Sequence, residues 1–286
     1  MKTIGFIGTG VMGCSMIRNL MKAGFTVYIN NRTKAKAEEL IGEGAIWCDT
    51  PGECAAKSEA VITIVGYPKD VEEVYFGTEG ILEHAASGTY LIDMTTTSPA
   101  LSARIYEEGK KRGLRVLDAP VSGGDIGARK GTLAIMVGGE EEDFDACHSI
   151  FEAMGSSIIY EGPAGSGQHV KMANQIAIAG AVSGVCEAIS YTRKMGLDVT
   201  RMIDTIKGGA AGSWQLENLG PKMAAGNYDP GFYIKHMIKD LTLADEGADN
   251  EGLTLPILKA VRKMYEELEA SGHGEDGTQG LIQYYD

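Results

Sequence analysis

The chain has 286 residues, of which 44% are hydrophobic and 23% charged. That balance suits one large or two modest folded domains and excludes a largely disordered or collagen-like chain, despite 39 glycines. Set against 39 acidic residues, 26 basic ones leave a net charge of −13, which makes phosphate backbones and anionic membrane surfaces poor partners. No segment approaches about 18 uninterrupted apolar residues, and the opening MKTIGFIGTGVMG has no long apolar run of the kind a secretion signal carries. The expectation is a cytoplasmic protein with no membrane and no nucleic acid among its partners.

Short β-rich runs alternate with helical stretches through the first part of the chain, the pattern of a parallel sheet covered by helices. Strands are predicted at Thr3 to Gly8, Thr26 to Asn30, Ala45 to Trp47, Val61 to Val65, Tyr90 to Met94, Arg115 to Asp118, Leu133 to Val137 and Ile158 to Tyr160. Several are continuous apolar runs bounded by Gly, Asp or Pro, as strands buried on both faces are. Helices are predicted at Met12 to Ala23, Lys34 to Gly42, Pro99 to Lys111 and Glu141 to Met154, with Pro99 suited to a first helical position. Beyond Gly162 the strand signal stops, which divides the chain into an α/β Rossmann domain, 1–162, and an all-α domain, 163–286. A long, weakly charged helix from Gly167 to Met195 is expected to be buried on most sides. Further helices are expected near Val199 to Lys207, Phe232 to Asn250, Pro256 to Ala270 and Thr278 to Tyr284, whereas Gly208 to Gly231 reads as a loop-broken stretch.

The five cysteines (Cys14, Cys48, Cys54, Cys147, Cys186) form no CxxC pair and read as small buried hydrophobes. The five histidines are scattered, with no His-Glu-x-x-His, so no metal centre is expected.

Gly8-Thr9-Gly10-Val11-Met12-Gly13 matches G-x-G-x-x-G, directly after a strand and opening a helix, as a dinucleotide site requires. Gly8 allows the tight turn, Gly10 the approach of a pyrophosphate and Gly13 close helix–strand packing, with helix N–H groups toward the anion. An NAD site places an acid about twenty residues on, to bind the ribose 2′-hydroxyl. Here Asn31, Arg32, Thr33 and Lys34 stand there instead, and a guanidinium matches phosphate oxygens, so NADP is the expected cofactor. NAD is the alternative if Arg32 and Lys34 merely solubilise the loop. The hydroxyls from Thr95 to Ser98, Thr96 among them, either bind ribose or carboxamide or cap the helix that follows.

Four blocks then carry a family resemblance: Gly8-x-Gly10-x-Met12-Gly13-x-x-Met16-x-x-Asn19-Leu20; Asp118-Ala-Pro-Val-Ser-Gly-Gly124; Gly162-x-x-Gly165-x-Gly167-x-x-x-Lys171-x-x-Asn174-Gln175; and Lys239-Asp240-Leu241. In this order, over nearly the whole chain, they resemble the signatures of the β-hydroxyacid dehydrogenases. That family includes 3-hydroxyisobutyrate dehydrogenase, tartronate semialdehyde reductase, glyoxylate/succinic semialdehyde reductases and the longer 6-phosphogluconate dehydrogenase. The blocks are highly specific for the family and poorly specific for the substrate.

The resemblance implies a 6-phosphogluconate dehydrogenase-like fold, a homodimer or homotetramer, and a cleft between the domains that takes NADP(H) and a small carboxylate-bearing aldehyde or hydroxy acid. It implies Lys171 as general acid/base, Asn174 or Gln175 as the amide that orients the substrate oxygen, and Ser122, Gly123 and Gly124 as the carboxylate site. Lys239 is implied at either cofactor or substrate. Physical reasoning supports the lysine: an ammonium in an apolar cleft beside another cation has a lowered pKa and can protonate a carbonyl oxygen as hydride arrives. Imine reductases resemble this architecture but usually lack that lysine. Phe232 and Trp214 read equally as pocket wall or core. The expected function is interconversion of a small hydroxy acid and its semialdehyde, as a semialdehyde/glyoxylate reductase or 3-hydroxyisobutyrate dehydrogenase. The rival is a non-catalytic dinucleotide-binding or sensor protein, against which the intact Lys171, Asn174 and Ser122 speak.

Overall fold

The computed structural model describes residues 1–286 and divides into two compact units, Met1–Lys171 and Met172–Asp286. The first unit is built on nine strands: β1 (Thr3–Ile7), β2 (Thr26–Asn30), β3 (Ile46–Trp47), β4 (Ala60–Thr63), β5 (Tyr90–Asp93), β6 (Arg115–Asp118), β7 (Val121–Ser122), β8 (Leu133–Gly138) and β9 (Gly155–Gly162). They lie in the order β3-β2-β1-β4-β5-β6-β8-β7, with β9 paired to β8. Strands β1 to β6 pair in parallel. The order in which strands are added reverses between β1 and β4, the switch point at which dinucleotide-binding sheets open a crevice.

Beyond β6 the sheet is mixed: β8 runs antiparallel to β6 and β7 and parallel to β9. The expected all-parallel sheet stops at β6 because the connection that follows contains only the seven-residue helix α7 (Gly124–Lys130). About 10 Å of helix does not carry the chain back along the sheet, so β8 enters from the carboxyl edge. The other helices of this unit are α1 (Val11–Lys22), α2 (Glu38–Gly42, after a 3₁₀ turn at Lys34–Ala37), α3 (Pro51–Ala56), α4 (Pro68–Phe76), α5 (Ile81–His84), α6 (Pro99–Lys111) and α8 (Glu141–Glu152). Helices α3, α4 and α5 are additions to the sequence reading. Proline opens α3, α4 and α6, and the Thr50 and Ser98 hydroxyls accept from the N–H groups of Glu53 and Leu101.

Strand alternation fills both faces of the sheet. Phe6, Ile62 and Ile92 join Met16 and Leu20 of α1 on one side; Ile7, Val61 and Leu91 join Tyr75 and Ile105 on the other. Cys48, Cys54, Cys147 and Cys186 are buried and Cys14 half-buried, all five as free thiols.

Helix α9 (Ser166–Lys194) opens in the first unit and continues through the second, which adds α10 (Val199–Ile206), α11 (Trp214–Asn218), α12 (Gly220–Ala224), α13 (Ile234–Asn250), α14 (Pro256–Leu268) and a closing 3₁₀ segment, Thr278–Tyr284. Helices α11 and α12 occupy the stretch read from sequence as loop-broken: Ser213 caps α11 through the N–H of Leu216, and Pro221 sits harmlessly in the first turn of α12. Only a stripe of α9 is buried in this unit's core, through Met172, Ala179, Val182, Val185, Cys186 and Ile189. The expectation of burial on most sides is therefore corrected, because α10 to α14 cover one face and Ala and Gly, which read as buried, occupy much of the rest.

Candidate active site

The turn leaving β1 is shaped by glycine. Gly8 has φ +109°, and a β-carbon there would stand 2.1 Å from the carbonyl oxygen of Ile64. At Gly13 a β-carbon would stand 2.0 Å from the carbonyl oxygen of Gly8, so α1 could not approach the turn with any larger residue. The place of a β-carbon on Gly10 has no atom within 4 Å, which leaves the backbone open from outside. Helix α1 starts with no side-chain cap and no acid in its first turn, and its Val11 is exposed. Such a helix start suits an anionic group, so the residues present fit the pyrophosphate of a dinucleotide.

The loop after β2 closes on this turn. Gly8 donates its N–H to the carbonyl of Asn30 (3.0 Å), and Thr9 donates its N–H to Asn31 Oδ1 (3.2 Å). Asn31 Nδ2 donates to the carbonyl of Thr33 (2.9 Å). Gly8 to Gly13 and Asn31 to Thr33 thus form one group. Arg32 projects from it with its side chain 87% exposed, and its Nη1 lies 3.5 Å from Asp70 Oδ1. The other Asp70 oxygen accepts the N–H of Tyr67 (3.0 Å) at the start of α4, which fixes the acid beside the guanidinium.

Two buried carboxylates stand side by side at the carboxyl ends of β5 and β6, where Asp93 and Asp118 are register partners. Asp93 Oδ1 accepts from Thr63 Oγ1 (2.7 Å) and the N–H of Thr95 (3.1 Å). Burial raises its pKa to about 6. Asp118 accepts the N–H of Gly165 on Oδ1 (2.6 Å) and that of Gln168 on Oδ2 (2.9 Å). Burial raises its pKa too, against the opposing effect of those two N–H groups. Gln168 is fully buried; its Oε1 accepts the N–H of Thr97 (3.0 Å) and its Nε2 donates to the carbonyl of Thr95 (2.8 Å).

The hydroxyls of this loop divide between the two readings. Thr95 Oγ1 accepts the N–H of Val65 (3.0 Å) and Ser98 Oγ caps α6, so both are structural, while Thr96 is half-buried in the middle of the loop. Lys171, 6% exposed, lies one turn beyond Gln168 on α9. Ser122 ends β7, and Gly123 and Gly124, both at positive φ, lead into α7. Asn19 Nδ2 donates to the carbonyl of Ala128 (2.7 Å), which ties α1 to α7 and gives that signature residue a packing role.

In the second unit, Asn174 and Gln175 follow Lys171 at helical spacings of three and four, on the same side of α9. Asn174 Nδ2 donates to Gln175 Oε1 (2.7 Å), and Gln175 Nε2 donates to Asp240 Oδ2 (2.6 Å). Lys239 Nζ stands 3.0 Å from Asp240 Oδ1, a contact of charges rather than an aligned hydrogen bond. Gln175 and Asp240 are buried and Asn174 half-buried. One turn before Lys239, His236 has its pKa lowered by burial and then by Lys239 and Lys235. Trp214 is 59% exposed and Phe232 36%, so neither is core. Gln168, Asp93 and His236 were not singled out from sequence; the two aspartates at strand ends carried a signal, the glutamine none.

Residues 3–162 match the NAD binding domain of 6-phosphogluconate dehydrogenase, and residues 165–285 match the NAD-binding of NADP-dependent 3-hydroxyisobutyrate dehydrogenase. The chain is 53% identical over 284 residues to the uncharacterized oxidoreductase YkwC of Bacillus subtilis, covering 99% of each. It is 36% identical to the 2-hydroxy-3-oxopropionate reductase of Escherichia coli, over 98% of this chain and 96% of the relative. Among solved structures, Mycobacterium tuberculosis 3-hydroxyisobutyrate dehydrogenase with L-serine superposes with a TM-score of 0.91 at 30% identity, covering 99% of this chain and 98% of the other. The chain belongs to the β-hydroxyacid dehydrogenase family of NAD(P)-dependent oxidoreductases.

Proposed function

We propose that the protein is an NADP(H)-dependent reductase that converts a small carboxylate-bearing aldehyde into the hydroxy acid; the relative named 2-hydroxy-3-oxopropionate reductase supports tartronate semialdehyde as one candidate. The reading rests chiefly on Lys171, a lysine only 6% exposed, on the turn of α9 that follows the Asp118 and Gln168 anchors. A buried ammonium is costly unless it is paired and hydrogen-bonded, which makes this a demanding position for a lysine. The cofactor, when bound to Gly8–Gly13 and Asn31–Thr33, supplies a hydride. Lys171 donates the proton that the carbonyl oxygen needs, and Asn174, less buried than Gln175, whose amide donates to Asp240, orients that oxygen. Ser122 and the backbone of Gly123 and Gly124 hold the far carboxylate by hydroxyl and N–H donation. Thr96 is assigned to the cofactor and Lys239 to cofactor or substrate.

Support for NADP comes from Arg32, whose exposed guanidinium presents a planar set of donors beside the glycine turn. The Asp70 carboxylate 3.5 Å away favours the second reading, use of NAD(H), because it would repel a 2′-phosphate. Assembly as a homodimer or homotetramer is proposed from the part of α9 that its own unit leaves uncovered.

The test is oxidation of NADPH and of NADH by the purified protein with tartronate, methylmalonate and succinic semialdehydes and with glyoxylate. A rate on one acid, faster with NADPH, is the expected result. Silence on all four with NADPH still bound would move the protein to another carbonyl substrate or to a binding role.

A further inference from the structure

Residues 94–98 join β5 to α6 without regular structure, so their peptide groups need partners from elsewhere. One side chain supplies two of them. The amide of Gln168 accepts the N–H of Thr97 and donates to the carbonyl of Thr95, from a site of zero exposure. It stands in for a peptide group of a neighbouring strand. The backbone of the same residue is also fixed, because its N–H and that of Gly165 are taken by the two oxygens of Asp118. The start of α9 is therefore bound twice, through its backbone to the end of β6 and through Gln168 to the loop after β5. Lys171 follows three residues later on the same helical face, about 4.5 Å further along the axis.

We infer that Gln168, oriented by Asp118, is a positioning residue for Lys171: it sets the spacing between the ammonium and the loop Thr95–Thr97, whose Thr96 is assigned to the cofactor. The inference rests on the proposed role of Lys171 as proton donor. A longer or looser link would leave cofactor and lysine each in place but out of step, and a displacement of about 1 Å between reacting groups costs on the order of 100-fold in rate.

The test is a double-mutant cycle of Gln168→Glu and Lys171→Ala. Glutamate keeps the shape and can still accept from Thr97, but when ionised it cannot donate to Thr95. The readouts are kcat, the dissociation constant of NADPH by fluorescence titration, and the melting temperature. Gln168→Glu is expected to lower kcat about 10- to 100-fold with NADPH affinity changed less than about threefold. In the Lys171→Ala background the same change should alter the residual rate less than about twofold. The loss should also shrink as pH falls, since a protonated glutamate regains the donor.

An equal loss in both backgrounds, or a fall in kcat matched by a fall in NADPH affinity, would overturn the positioning role while leaving Lys171 as the acid. A wild-type rate in Lys171→Ala would overturn the proton-donor reading itself and the inference with it. If Gln168→Glu does not fold, Gln168→Met, which keeps the length, enters the same cycle. Failure of both to fold would assign Gln168 to stability alone.

Discussion

Asp93→Asn is expected to stabilise the protein at neutral pH and to leave it nearly unchanged in acid. Asp93 is 2% exposed; Oδ1 holds Thr63 and Thr95, while Oδ2 has no hydrogen-bond partner. Burial against its charge, with Asp118 adding to it, raises its pKa from 3.8 to about 6. The folded chain therefore keeps a proton that the unfolded chain releases. The stability this proton contributes is fully present below 3.8 and is lost as pH rises through about 6. A span of about two pH units corresponds to roughly 3 kcal/mol. Asparagine keeps the acceptor for Thr63 and Thr95 and carries no charge at any pH. Its amide also replaces the unpartnered oxygen near Ser102, whose hydroxyl has no partner and borders the same small space.

Thermal unfolding of both forms from pH 4 to pH 8 tests this. The difference should be small at pH 4, grow through pH 6 and level off near 3 kcal/mol, or roughly 6–12 °C for a unit of this size. A difference that is flat, or largest in acid, would refute the reasoning that Asp93 is held as the neutral acid.

Three further substitutions probe the cofactor loop and the amide network. Arg32→Ala should weaken NADPH binding about 10- to 100-fold and NADH binding little, measured by fluorescence titration, since a charge-assisted contact is worth about 1.5–3 kcal/mol. Asp70→Asn, which keeps the acceptor for Tyr67, should strengthen NADPH binding; equal effects on both cofactors would contradict the 2′-phosphate assignment. Gln175→Glu places a second carboxylate at hydrogen-bond distance from buried Asp240. At pH 8 it should lower the melting temperature more than Gln175→Met, which adds no charge; equal losses would count against that geometry.

How far the fold was legible follows from where its causes lie. Gly8 and Gly13 could be read because a local pattern, strand then helix, demands both the turn and the close approach that the backbone displays. The βα alternation through β6 was legible for the same reason. Helices α3, α4 and α5 have six, nine and four residues, too few for periodicity to register, and only Pro51 and Pro68 marked where two of them start. The reversal at β8 depends on how far α7 can carry the chain, which is a property of the assembled sheet. On α9, composition gave the polarity of the helix but not which side its neighbours cover. Gln168 was invisible for another reason: its partners Thr97 and Thr95 lie 71 and 73 positions away, and a glutamine near a helix start is ordinary. Chemistry-bearing residues stood out in the sequence, whereas those that hold them depended on distant backbone groups.

Whether Lys171 gives the proton as an aldehyde is reduced is decided by kcat of wild type and Lys171→Ala with saturating NADPH and the best of the four aldehyde substrates. A loss of about 100- to 10,000-fold in kcat with NADPH affinity kept is expected. A Lys171→Ala enzyme turning over at the wild-type rate would contradict that role.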